Sequence, residues 1–545
     1  MSHINKIIII FLTLVSLGSL SAQTWPHIYG ETDRHEFSED VGGAYDNGYK
    51  IAGNFLSENL APKSTWLIKT DINGNILWEK ILSNSGYNKT KAITQSSNGG
   101  TILCGLIRYQ GDDISNPYVA KLDACGEKLW CRVFSENIGN AYSSWASDVK
   151  ETPSGDIIVL VNEYGNHPIN TMHLFKLNAG GEVLWRNPYA SAYNHPGSIN
   201  PRGNKLLITT EGDYLIVGQI YWEDPWNPGG TAFGIRPMFT LIDSMGTEKW
   251  ILPFGLNDTI YGEAYNVIEK NKKEFIAVAT KWPDEPQIIP MFIKFDGEGN
   301  VLNYQTINAE EIDSTFSEGH FGHIIQQDTN YFLSGTFEIG STEKAPLTNI
   351  YMDTNIFTNN PNISSKATYL NQYWPYSSNK TSKVKFLNTS KYVASGETDI
   401  SFSKVNPFLE MDTLDPGNHT YDSLCTTPGL PQSSFISLDD CDLFVDIDEI
   451  PNAKQYQEKI RWIPIKAYPN PAQNGKLTLE FENTEHHQNM ELRCYDNFGR
   501  QIHSQKVYKD QQDTDLDVSG WSPGIYVAVV YSNGGARGKV KFVVE

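Results

Sequence analysis

The stretch Trp66-Leu67-Ile68-Lys69-Thr70-Asp71-Ile72-Asn73-Gly74-Asn75-Ile76-Leu77-Trp78 decides the fold, because its pattern returns along the chain. An apolar run ends in Lys-x-Asp, a Gly turn comes next, and a second apolar run ends in Trp. Tyr118–Trp130 repeats it with Lys121, Asp123, Gly126 and Trp130. His173–Trp185 keeps Lys176, Asn178, Gly181 and Trp185, and Met238–Trp250 keeps Asp243 and Gly246. Met291–Asn303 keeps Lys294, Asp296 and Gly299 but has Asn303 in place of Trp. Weaker copies centre on Asp353 and Asp412. The anchors at 71, 123, 178, 243, 296, 353 and 412 stand 52, 55, 65, 53, 57 and 59 residues apart.

Self-similarity at this period marks an array or a propeller. Ahead of each Lys-x-Asp run stands another β signal, as at Gly48–Gly53, Gly100–Gly105, Gly212–Gly218 and Tyr331–Gly335. Short apolar runs fenced by Gly, Asn and Asp read as strands joined by tight turns. About four strands per unit is the size of one blade, so the repeats predict a seven-bladed β-propeller. At the Asp corner, the side chain accepts local backbone hydrogen bonds and Gly supplies the positive φ of a hairpin. Alternating oxygens at Asp71, Asn73 and Asn75 also admit calcium, without the distal Glu of an EF-hand loop. Turn chemistry is the reading adopted, and no metal site or cofactor is assigned. Trp78, Trp130, Trp185 and Trp250 are expected to fill one wedge position between blades.

Trp25–Gly30 matches the residues from the Trp onward in a full repeat, such as Trp250–Gly255. The seventh copy, read at Lys391–Gly396 and Phe408–Asp412, has no Trp-bearing strand after it. The strand at Trp25 is therefore expected to complete the seventh blade and close the ring, which removes exposed sheet edges. Ser433–Leu438 is the alternative closing strand.

The 545 residues carry a net charge of −21, which argues against nucleic acid as a partner. Residues 1–22 read as a signal peptide: Lys6, an apolar run from Ile7 to about Leu20, then the small pair Ser21-Ala22. That run is short for a bilayer span, which needs about 20 apolar residues, and no transmembrane span is expected in the mature chain. Of the six cysteines, Cys125 with Cys131 and Cys425 with Cys441 are the local pairing candidates, beside Cys104 and Cys494. No Cys-x-x-Cys pair points to zinc.

The tight turns fall on one face of such a propeller and the long connections on the other. Tyr221, Trp222 and Trp226 lie in one long connection, and Tyr373, Trp374 and Tyr376 in another. Variable loops on a rigid scaffold commonly bind, and Tyr and Trp stack on sugars or peptides, so these six are the candidate ligand-binding residues. The competing view is that the rings pack the loops down. No Gly-x-Ser-x-Gly elbow, His-Glu-x-x-His, Walker loop or dinucleotide fingerprint appears, so no catalytic residue is assigned. His320 and His323 form the closest His pair and read as packing residues. The reading is a non-catalytic binding or adhesion module for glycan or protein. The alternative is a propeller glycoside hydrolase or lyase acting on extracellular polysaccharide, whose paired carboxylates are a matter of space rather than spacing.

At Ile463 the grammar changes. Alternating strands suggest a small antiparallel β-sandwich over 463–545, after a propeller at 23–419 and a linker at 420–462 with some strand character. The linker holds the acidic run Asp439-Asp440-Cys441-Asp442, read as a solvated edge. The entry Tyr468-Pro469-Asn470-Pro471, the turn ending in Gly499-Arg500, the block around Pro523, Gly524 and Tyr526, and the final strand at Lys539 carry a resemblance. Together they resemble the type A sorting domain of the Bacteroidota type IX secretion system. That resemblance implies passage through the periplasm and recognition by the type IX machinery. It further implies cargo that is secreted or held at the outer-membrane surface. The Asp-x-x-Gly-x-x-x-Trp corner also resembles that of pyrroloquinoline-quinone propellers, although the vicinal cysteine pair of those enzymes is absent here.

Overall fold

The computed structural model describes residues 25–444 and 465–544 apart from internal stretches. The longer of these are 135–143, 164–170, 190–197, 224–232, 353–362 bar Phe357, 368–383, 392–397, 406–411, 426–432 and 482–489. The expected signal peptide and the carboxyl half of the expected linker lie outside the described residues.

Alternating strand runs and Gly turns build consecutive four-stranded antiparallel sheets. The first takes Arg34–Gly43, Tyr49–Ser57, Leu60–Thr70 and Ile76–Ser83. The second takes Tyr87–Gln95, Thr101–Arg108, Asn116–Leu122 and Lys128–Phe134. The third takes Trp145–Glu151, Ile157–Glu163, Thr171–Leu177 and Val183–Tyr189. The fourth takes Ser198–Ile208, Tyr214–Glu223, Phe233–Ile242 and Glu248–Pro253. The fifth takes Ala264–Asn271, Glu274–Lys281, Ile289–Asp296 and Val301–Thr306. The sixth takes Phe316–Gln327, Asn330–Ile339, Glu343–Met352 and Ile363–Ala367. A three-stranded sheet comes last, ordered His27–Tyr29, Thr398–Val405, Val384–Lys391. The first strands of neighbouring sheets pack side by side from the first sheet to the sixth, and Val384–Lys391 and Thr398–Val405 pack against Arg34–Gly43. This is the layout of a β-propeller, with first strands innermost. Its apolar residues bury between sheets, as where Phe239, Phe275 and Phe295 fill the wedge between the fourth and fifth.

The repeated corner joins third strand to fourth. Asp71 Oδ1 accepts the Asn73 and Asn75 amides at 2.8 Å each, and Asp123 Oδ1 accepts those of Cys125 and Glu127 at 2.9 and 2.8 Å. Asn178, Asp243 and Asp296 make the same pair of bonds. Each corner glycine has φ between 81° and 90°, at Gly74, Gly126, Gly181, Gly246 and Gly299. The Trp then packs on the next sheet's corner. A Cβ on Gly126 would meet Trp78 at 3.0 Å, on Gly181 Trp130 at 2.8 Å, on Gly246 Trp185 at 3.3 Å, and on Gly299 Trp250 at 3.0 Å. Trp130 Nε1 donates to Ala179 O at 3.1 Å and Trp250 Nε1 to Gly297 O at 2.8 Å, so the ring both stacks and bonds.

The same contact crosses the seam. A Cβ on Gly74 would meet Trp25 at 3.0 Å and His27 at 2.7 Å. Tyr29 Oη donates to Gly74 O at 2.6 Å, as Tyr189 Oη donates to Gly246 O at 2.7 Å. His27 pairs with Phe402 and Tyr29 with Ile400, antiparallel. Continuing that register by two residues sets Trp25 opposite Lys404, as Trp78 stands opposite Lys69 and Trp130 opposite Lys121. The Lys404 ammonium lies 5.9 Å from the Trp25 ring. The last copy of the repeat is therefore anchored by Lys404, not by Asp412 as expected. Asp412 instead contacts Lys404, its carboxylate 3.4 Å from the ammonium.

Ser433–Ser437 does not close the ring. It adds a parallel strand outside Ile76–Ser83, and Asp442–Phe444 does the same outside Lys128–Phe134. The described residues between 412 and 444 form a strap across the first and second sheets. Asp415 N donates to Asn73 Oδ1 at 2.7 Å, and Asp422 ion-pairs with the buried Lys69, itself 2.6 Å from Asp46. Asp440 and Asp442 pair with Lys128 and Arg132, so this acidic run is a docking edge rather than a solvated one. The local cysteine pairings are corrected too: the disulfides are Cys125–Cys425 and Cys131–Cys441, spanning 300 and 310 residues. The strap brings Cys425 and Cys441 over the second sheet, whereas Cys104 and Cys494 stay buried as thiols.

Beyond the strap, Ile465–Gln473, Lys476–Phe481 and Asp513–Asp517 form one antiparallel sheet. Gln501–Val507, Met490–Tyr495, Gly524–Ser532 and Gly535–Val544 form another. Leu477, Leu479 and Leu516 from one share a core with Leu492, Ala528 and Phe542 from the other.

The two disulfides act nearly in parallel, which sets a stability expectation. Loss of one leaves the 300-residue loop closed and frees a loop of about 20 residues, costing about 3 kcal/mol in chain entropy. Urea denaturation of Cys425→Ser, Cys441→Ser and the double variant should give a double loss about three times either single loss.

Candidate functional site

Of the aromatic candidates, Trp226, Tyr373, Trp374 and Tyr376 lie outside the described residues. Tyr221 and Trp222 lie in the strand Tyr214–Glu223 rather than in a loop, opposite Ile235 and Gly234. Trp222 packs against the apolar cluster shared by the third and fourth sheets. Among the sorting residues, Gly499 and Arg500 are outside the described set. Asn470 bonds the edge of the final strand, donating to Lys541 O at 3.2 Å and accepting Val543 N at 2.9 Å. The exposed Tyr468 and Pro469 precede it, and Pro471 comes after it in the same strand. Tyr526, just after Pro523 and Gly524, stacks on Phe542 at 5.8 Å and donates to Ser522 O at 2.5 Å. Lys539 lies on that final strand.

A different site is built by the innermost strands. Each of the six four-stranded sheets has a register shift in its first strand at an equivalent place: Glu39, Lys91, Ser147, Asn204, Tyr265 and Gly322. A bulge leaves one residue outside the ladder and re-aims its side chain. Glu39, Ser147, Asn204 and Tyr265 reach round the axis to the next sheet. Glu39 Oε1 meets Lys89 Nζ at 2.5 Å, and Ser147 Oγ donates to Gly203 O at 2.8 Å. Asn204 Nδ2 donates to Glu263 Oε1 at 2.6 Å and to Ala264 O at 2.9 Å. Tyr265 stacks on His320 with centroids 4.7 Å apart. The Arg202 guanidinium lies 5.5 Å from the Trp145 ring. These contacts form two arcs of a belt near the starts of the inner strands, Glu39 with Lys89 in one and Trp145, Ser147, Arg202, Asn204, Glu263, Tyr265 and His320 in the other. That end carries the long connections, whereas the tight turns 44–48, 96–100, 152–156 and 209–213 close the other.

In the first, third and fifth sheets the residue after the bulge ties neighbouring strands together. Asp40 Oδ2 accepts Ile93 N at 2.8 Å, Asp148 Oδ2 accepts Leu206 N at 3.0 Å, and Asn266 meets His323 Nδ1 at 2.9 Å. His323 thus serves the ring and His320 the belt. Burial would raise the Asp148 carboxyl, but Lys150, Lys205 and the Leu206 amide hold it below the usual carboxylate range. Burial raises Glu263, against the pull of Arg202 and Asn204. Burial lowers the Lys91 ammonium to about 8, with Glu39 opposing and Lys89 and Arg202 reinforcing the fall. The belt thus holds a carboxyl inclined to keep its proton and an amine inclined to shed one. Sequence reasoning missed it, because a bulge leaves no mark in composition. The available signal was a polar residue breaking the apolar alternation just before each Gly-fenced second strand.

Residues 466–545 match the family described as the secretion system C-terminal sorting domain. No curated protein matches the chain significantly. Similar solved structures include a protein of unknown function from Bacteroides caccae, 12% identical, covering 59% of this chain and 90% of that one, with a TM-score of 0.30. The β-propeller domain of the Trilobed protease from Pyrococcus furiosus is 8% identical, covering 71% and 96%, at 0.39. Polysaccharide lyase Uly1 is 10% identical, covering 72% and 94%, at 0.44. At these values the likenesses carry no functional argument. Among the described residues no helix is long and apolar enough to cross a membrane.

Asp148 supplies a test of the belt's support. Its folded pKa is depressed, so its stabilisation is present above the ordinary value of 3.8 and fades as pH falls through the folded value. Asp148→Ala should cost about 3–5 kcal/mol at pH 7 by stranding Lys150 and Lys205, and should flatten the loss of stability on acidification. Urea titrations at several pH values read both effects.

Proposed function

We propose that this type IX secretion cargo is a seven-bladed β-propeller followed by a sandwich-shaped sorting module, working outside the cell as a non-catalytic binding module. The ligand is an extracellular glycan or protein, seated where the belt opens among the long connections. The observation that carries this reading is the bulge repeated in six inner strands. It takes Glu39, Lys91, Ser147, Asn204 and Tyr265 out of the ladder, which frees their side chains for other contacts. A rigid wall with convergent polar groups is the usual form of a binding site. The disulfide-held strap suits a protein that works where thiols are oxidised. The sorting module at 466–545 supports secretion, and retention at the cell surface is the variant of this reading.

A second reading, glycoside hydrolase or lyase, draws support from one observation. Burial raises the Glu263 carboxyl, which favours a proton donor beside Tyr265 and His320.

Two measurements separate these views. The exported chain, probed on an array of neutral and acidic glycans, should bind without cleaving them; turnover abolished by Glu263→Gln would replace the binding reading with the catalytic one. Truncation after Tyr468 should leave the protein in the periplasm, and its normal appearance in the medium would contradict the export route.

A further inference from the structure

The chain carries a net charge of −21, yet its belt concentrates cations. Lys89 and Lys91 project from one inner strand and Arg202 from another two sheets away. Lys89 is matched by Glu39 at 2.5 Å. Lys91, two residues further along the same strand, feels the like charges of Lys89 and Arg202. Among the described residues Lys91 and Arg202 make no ion pair within 4 Å, and the buried Arg202 Nε has no hydrogen-bond partner. Arg202 acts electrostatically on Lys91, Glu263 and Tyr265, so these groups share one field. The Glu263 carboxyl is already engaged by Asn204 and inclined to keep its proton, which weakens it as the missing counter-charge.

From this arrangement we infer that the belt binds an anionic sugar, a carboxylate- or sulfate-bearing unit of a glycan, through Lys91 and Arg202. The inference rests on the binding reading above and names its ligand class. Like charges held together with little solvent exposure repel, and an entering anion relieves that repulsion. A guanidinium with a free edge suits a carboxylate or sulfate, which accept paired N–H bonds. The sugar is favoured over a free anion because flat walls flank the cations. Trp145 lies beneath Arg202, and Tyr265 with His320 forms a stacked pair further round. Aromatic faces of this kind cover sugar rings. Lys91 is half-buried, so less water screens its charge than on an open surface.

The test is calorimetric titration of the exported chain with polygalacturonate, dextran sulfate, neutral dextran and polyglutamate. Polygalacturonate or dextran sulfate should bind, and whichever binds more tightly identifies the acid group. Arg202→Ala and Lys91→Met should each weaken that binding about tenfold or more, as expected for loss of a charge-assisted bond. Arg202→Lys should retain part of it. Far-ultraviolet circular dichroism checks that each variant folds, and Lys91→Met carries the test if Arg202→Ala does not. Binding of neutral dextran, untouched by these substitutions, would overturn the anionic class while leaving the binding function intact. Equal affinity for polyglutamate would reassign the site to an acidic protein. A folded chain that binds none of the anionic probes overturns the inference, and the wider glycan array then decides the binding reading separately.

Discussion

Five junctions of the ring are held by an indole lying on a glycine of the next sheet: Trp78, Trp130, Trp185 and Trp250 within the chain, and Trp25 at the seam. The glycine is required twice over, because its φ is positive and because the neighbouring ring occupies the place of a side chain. The Asp or Asn before it fixes the turn by accepting two amides, so the glycine's backbone is presented at a constant height. The Asp-x-x-Gly-x-x-x-Trp pattern (Asn178 standing for Asp in the third unit) is therefore a description of one interface, written out in the first four units. Where the chain seam falls, Trp25 and Tyr29 make on Gly74 the contacts that Trp185 and Tyr189 make on Gly246.

With the wedges fixed in this way, the remaining features fall into place. The seam strand His27–Tyr29 is only three residues long, and the strap reinforces the adjoining sheets from outside. The two disulfides bind the far end of the repeat region to the second sheet. At the centre the bulges interrupt the ladder in register, and Asp40, Asp148 and Asn266 after three of them stitch the inner strands together. Those bulges free Glu39, Lys91, Ser147, Asn204 and Tyr265 from purely structural positions. The rigid periphery and the polar belt are two consequences of one repeated unit.

The periphery was legible in the sequence because its constraints are local. A turn needs Asp and Gly at a fixed spacing, and a wedge needs a large ring at a fixed register. The closing strand at Trp25 was legible for the same reason. The last repeat was misplaced onto Asp412 because the true anchor, Lys404, lacks the Gly corner after it. The disulfides escaped because proximity in sequence is a poor guide when a strap crosses two sheets. Tyr221 and Trp222 read as loop residues because the fourth sheet's second strand runs on to Glu223, further than its Gly-fenced core suggested. The belt escaped most completely. Lys91 and Arg202 are more than a hundred residues apart and come within electrostatic reach of each other only through the curvature of the ring. The sorting module was legible because its motifs occur together and in order.

The most direct test compares three glycines in turns of like shape. Gly74, Gly181 and Gly155 have φ of 87°, 83° and 86°, but only Gly155 has nothing within 4 Å of where a Cβ would stand. Urea denaturation of the three Gly→Ala variants would therefore separate backbone strain from displacement of the neighbouring indole. The account predicts that Gly74→Ala and Gly181→Ala lose about 1–3 kcal/mol more than Gly155→Ala. Equal losses at all three positions would contradict it.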